Sequence, residues 1–136
     1  MRDLVLIAHI LIGLALIVLP VLILRLSSKK SVLLKPLAGL TALLSWLLLL
    51  PAGILYIMFY PATKTLIKSG PYPWLHSILM ETKEHYGLLL PLIATLAAYL
   101  VFTNKTKESR KWWILLIVIS LLIGILGRLL KIGAIA

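Results

Sequence analysis

The chain has 136 residues, is 62% hydrophobic and 13% charged, and carries a net charge of +10 with a mean hydropathy of +1.10. A soluble domain is about half apolar and a quarter charged; this chain has too little polar surface to cover a water-facing exterior. These figures exclude an ordinary cytosolic enzyme, a disordered chain and a nucleic-acid module, because the basic residues flank long uncharged runs instead of forming one soluble face.

Four charge-free runs follow in order: Leu4 to Leu24, Pro36 to Thr63, Tyr86 to Asn104 and Trp112 to Gly127. Crossing the hydrocarbon core takes about 20 apolar residues in a helix. The first three runs meet that length, and the fourth does so by continuing past Arg128. The expected spans are therefore 4–24, 37–60, 85–103 and 112–131, forming one transmembrane domain over 1–136. The first is too long, and lacks a small-residue cleavage site, for a signal peptide. Pro20, Pro51 and Pro91 lie inside spans, where proline is tolerated.

The connection after the first span holds Arg25, Lys29, Lys30 and Lys35, and that after the third holds Lys105, Lys107, Arg110 and Lys111. The opposite side holds Arg2, Lys64, Lys68, Lys83, Arg128 and Lys131. Eight positive charges against six place the two short basic connections in the cytoplasm and both termini outside. The basic connections suit anionic lipid headgroups. The expected fold class is all-α, an integral up-down-up-down four-helix bundle in the cell membrane. Trp112 and Trp113 would form an inner aromatic belt; Tyr56, Phe59, Tyr60, Tyr72 and Trp74 would form an outer one. Residues 61–73 read as the outer connection, with turn signals at Ser69-Gly70-Pro71 and Tyr72-Pro73, and a helical extension of the third span starts at Trp74.

Cysteine and glutamine are absent and Asn104 is the only asparagine, a composition that fits a thermophile source. The missing cysteine excludes disulfides and thiolate metal sites.

Counted from the basic end, His9 lies 16 residues before Arg25, His85 lies 18 before Thr103, Gly53 lies 16 after Leu37 and Arg128 lies 16 after Trp112. All four fall at roughly 24 to 27 Å, at 1.5 Å per residue. Ionisable groups at this depth point to a site. Gly13, one turn from His9, leaves room for a bulky group near the backbone. Glu81 and His85 share a helix face, and Ile78, Leu89 and Leu92 continue it, so this face is expected to look into the bundle. Glu84 and Lys83 point elsewhere, and His76 reads as an interfacial residue.

In an up-down-up-down bundle the first and third spans are diagonal. His9 and His85 would then face each other across a gap that suits a haem b, with one imidazole on each side of the iron. Arg128, with Lys131 one turn outward, would pair with the propionates. Here the chain resembles the small four-helix b-type membrane cytochromes, on its four spans, on Ala8-His9-Ile10-Leu11-Ile12-Gly13 and on Lys83-Glu84-His85-Tyr86-Gly87. The resemblance implies electron transfer with quinol or a redox partner near the outer face. The chain departs from larger members, which carry two histidine pairs; its inner half has no histidine. Two alternatives stand beside this one. One is a non-haem zinc or iron site on His9, His85, Glu81 and Glu84. The other is a cofactor-free accessory or assembly subunit of a larger membrane complex or homo-oligomer, its helices aligned by Arg128 with Glu81 and Glu84.

Overall fold

The computed structural model describes residues 1–29 and 31–135 and is all-helical among them. Lys30, counted above in the first basic connection, lies outside the described residues. Four helices are long and apolar enough to cross a membrane: α1, Arg2–Ser27; α2, Leu34–Ser69; α3, Leu75–Phe102; and α4, Thr106–Ile135.

α2 and α3 are not uniform. α2 is α-helical over Leu34–Leu47 and Leu49–Ile54, widens into a π-helical turn over Leu55–Phe59, and resumes as α-helix over Tyr60–Ser69. Its interruption at Leu48 precedes Pro51, whose missing N–H cannot bond the carbonyl of Leu47. α3 opens with a π-helical turn over Leu75–Met80 and is α-helical over Glu81–Phe102.

Residues 61–73 are thus only partly a connection. Pro61 sits in the first turn of the resumed helix, where its lost donor is unneeded, so it does not stop the chain from coiling. The helix ends at Ser69, where Gly70 turns extended. The break is confined to the residues between Ser69 and Leu75, where the turn signals cluster.

α1 packs against α2 and α4, and α3 packs against the same two helices. Beyond its π turn, the Tyr60–Ser69 end of α2 also reaches α4. Small buried residues let the backbones approach: Ala38, Thr41 and Ser45 on α2, and Ala94, Ala97 and Ala98 on α3. The hydroxyls on this seam are satisfied locally, Thr41 donating to the Leu37 carbonyl at 2.8 Å and Ser45 to that of Ala42 at 2.6 Å.

The α3–α4 connection is short and closed. Lys105 N–H donates to the Leu100 carbonyl at 2.7 Å and Asn104 N–H to that of Val101 at 3.1 Å. These two bonds form a Schellman cap. Asn104 takes the left-handed conformation the cap needs, at φ 61°. Asparagine is one of the few side chains that accept it.

Apolar packing falls into two clusters. The larger runs from Leu16, Leu48 and Leu90 down to Ile23, Leu34, Val101 and Trp113. The smaller comprises Ile67, Leu75, Met80 and Leu130 at the other end. Trp113 corrects an expectation. It is not in an interfacial belt but fully buried in the larger cluster. Ser109, Trp113, Leu116 and Ser120 recur every three or four residues on the buried face of α4. One position before it, Trp112 is only partly buried, and Lys111 lies 5.6 Å from its ring centroid.

Candidate functional site

Between the two apolar clusters the helices carry polar residues. The core side of α3 is marked by Met80, Leu90, Ile93, Ala94, Ala97 and Val101. Lys83 and Gly87 continue that line at helical spacing toward Met80 and are half-buried. His85 is two residues from Lys83, about 200° around the helix. Accordingly it is exposed, in a shallow surface hollow lined by Ser77, Glu81 and other residues of its own helix. Its Nδ1 donates to the Glu81 carbonyl at 2.7 Å.

This reverses the expected facing of α3. Glu81, His85, Ile78, Leu89 and Leu92 are all exposed, while Lys83 and Glu84 are half-buried. Arg128 and Lys131 on α4 are exposed too. A haem held between His9 and His85 needs both rings turned to the core. His85 is not so turned, and the axial pair does not fit this arrangement. The His/Glu alternative meets the same obstacle: among the described residues no three of His, Asp or Glu form a group able to hold a metal.

His9 is the sequence-expected residue that does lie against the interior. It is half-buried, and its Nδ1 is buried with no hydrogen-bond partner among the described residues. Lys83 lies within electrostatic reach of it. The Lys83 ammonium passes 3.5 Å from where a Cβ on Gly127 would stand. Gly13, Gly53 and Gly87 each have open space where a Cβ would project, with nothing within 4 Å. Gly53 is the glycine that the residue count puts in the layer, and Gly13 stands one turn from His9. Gly87 and Gly127 join them with no forewarning beyond their spacing from Lys83 and Arg128.

The two π turns supply the rest. Tyr56 lies in the first, Tyr60 directly follows it, and His76 lies in the second. π turns are rare and are often found at functional sites. Tyr60 OH and His76 Nδ1 are 2.7 Å apart. Tyr56 stacks on Tyr60, with ring centroids 5.5 Å apart and planes 17° from parallel. Glu84 lies within electrostatic reach of both tyrosines and of Lys83. The tyrosines read as belt residues and His76 as interfacial, because nothing in the sequence marks a π turn. Their only signal was the i, i+4 spacing of Tyr56 and Tyr60.

Tyr60→Phe is expected to lower stability in detergent by about 1 kcal/mol, the usual net value of one hydrogen bond, without moving the helices. An unchanged unfolding midpoint would mean the Tyr60–His76 contact is not maintained.

The arrangement therefore offers an unpartnered imidazole and an ammonium, both able to donate. The Glu84 carboxylate lies within electrostatic reach of Lys83 and of the Tyr56 and Tyr60 phenols, and glycines leave space on three helices. Comparison with protein-family models, curated proteins and solved structures finds no match to this chain.

Proposed function

We propose that the protein is a multi-pass protein of the cell membrane, with helices in up-down-up-down order and both termini outside. In this reading it binds the ring of a quinone or quinol in the polar layer between its two apolar clusters. The observation that carries this is the buried Nδ1 of His9, which lacks a partner among the described residues and stands one turn from the space left by Gly13. A buried polar atom without a partner costs about 1–3 kcal/mol, which a ligand supplying that hydrogen bond would recover.

The chemistry of the layer favours a quinone over a purely anionic or cationic ligand. His9 and Lys83 suit carbonyl oxygens of the oxidised ring, and Glu84 with the two tyrosines suits hydroxyls of the reduced one. The apolar clusters on either side suit a ligand that arrives through the bilayer. The orientation rests on the excess of basic residues at the two short connections. The role is the quinol half of the electron-transfer reading, without the His9–His85 haem.

Titrating a short-chain ubiquinone analogue into protein purified in mild detergent tests it, with tryptophan fluorescence as the readout. Saturable quenching at about one quinone per chain supports the reading. Absence of saturation removes it. A reduced-minus-oxidised visible spectrum of the same sample separates the cytochrome alternative: a b-type α-band would require His9 to meet a haem after all.

A further inference from the structure

The opposite end of the molecule carries a second site, independent of the quinone reading. A cavity of about 660 Å³ opens between the α1–α2 and α3–α4 connections, lined by Lys35, Lys107 and Arg110 with Ser31, Asn104 and Thr106. We propose that it binds a phosphate group, and that the phosphate belongs to the headgroup of an anionic phospholipid.

Among the described residues three cations line this cavity and no carboxylate does. Asp3, Glu81 and Glu84 belong to the other end of the chain's helices, and Glu108 is exposed on α4 outside the lining. Arg110 is held in place: its guanidinium donates to Ser27 Oγ at 2.9 Å and to the Leu24 carbonyl at 3.4 Å. That contact sets a cation against the C-terminal end of α1, where the helix dipole favours it, and leaves the rest of the guanidinium fork for an anion. The wall between Asn104 and Thr106 is fixed by the Schellman cap described above. α2 and α4 both begin at this cavity, at Leu34 and Thr106, so N-terminal amides of two long helices add to the positive field.

The lipid source follows from the cavity floor. Leu34 and Val101 at its floor are buried, while Val32 in its wall is 90% exposed, so the cavity joins a polar, cationic mouth to an exposed apolar side chain next to the hydrocarbon. A free phosphate has no use for that apolar side. A phospholipid satisfies both, with its phosphate on the cations and its glycerol and first methylenes on the helices.

The test uses the full chain in nanodiscs of equimolar phosphatidylglycerol and phosphatidylcholine, released and weighed intact by native mass spectrometry. Wild-type protein is expected to retain phosphatidylglycerol over phosphatidylcholine. The double variant Lys35→Ala, Lys107→Ala is expected to lose that preference by about thirtyfold, since each basic residue near a headgroup is worth about fivefold. Lys131→Ala, an exposed residue at the other end, is expected to change nothing. Equal retention of both lipids by wild-type protein overturns the proposal, and this arm needs no variant to fold. An unchanged preference in the double variant overturns it as well. Inorganic phosphate titrated into delipidated protein separates the sources. Saturation that is lost in the double variant would overturn the lipid assignment and give the site to free phosphate. Failure to saturate supports the headgroup.

Discussion

Trp113→Ala should lower the stability of the detergent-solubilised protein by about 3 kcal/mol or more. Trp113 is the largest of the fully buried side chains and sits in the larger apolar cluster. In a soluble protein a Trp-to-Ala change in the core costs about 3–5 kcal/mol, from lost transfer energy and from the cavity left behind. In a bilayer the transfer part shrinks, because an unpacked helix faces lipid tails as apolar as the core. The cavity part remains, since atoms lining a void lose their dispersion partners whatever the solvent outside. The lower end of the range is therefore the expected value. Trp113→Phe should cost far less. It keeps most of the volume and also removes an indole N–H that has no hydrogen-bond partner among the described residues. Unfolding curves in mixed micelles measure both. Equal losses for Ala and Phe would mean that the indole N–H, and not the packing, is what matters.

His9→Leu should move stability and binding in opposite directions. Leucine has no polar atom to leave unpaired, so the variant should be more stable by about 1–3 kcal/mol, the usual cost of a buried polar group without a partner. In the proposed function the same change removes the hydrogen bond to the quinone, and affinity should fall at least about tenfold, the equivalent of 1.4 kcal/mol. Sites that bind ligands commonly give up stability in this way. A destabilised variant would mean His9 is already satisfied in the free protein. Retained affinity would move the quinone elsewhere. His85→Leu is the contrasting variant: His85 is exposed and bonded to the Glu81 carbonyl, so its loss should leave quinone binding unchanged.

The facing of α3 is where reading the sequence and reading the structure part most sharply. The spacing of Ile78, Leu89 and Leu92 predicts that they continue Glu81 and His85 inward, yet all are exposed. In a soluble helix an apolar stripe faces the core because water lies on the other side. In a membrane the lipid face is as apolar as the core, so an apolar stripe carries no direction. The small residues were the better guide. Ala94, Ala97 and Ala98 mark the packed side of α3, and Gly87 lies on the line that extends it to Lys83. The same rule explains Trp113. Two adjacent tryptophans are about 100° apart on a helix, so Trp112 and Trp113 do not share an environment, whatever their depth.

By itself the sequence determined four apolar helices, the basic character of one end, and the heights along the helices at which His9, His85, Gly53 and Arg128 stand. Those depend on composition and on axial rise, which are local quantities. The tertiary structure alone decided which residues of the layer face one another. It turned His85, Glu81 and Arg128 outward, brought Lys83 within electrostatic reach of His9, and set Glu84 within reach of Tyr56 and Tyr60. It also extended α2 past Pro61 through a π turn and set Tyr60 against His76. The physical reason is rotational. Height along a helix is readable from a residue count, but rotation about its axis is set by which side chains pack, and a single π turn resets that rotation for every residue beyond it.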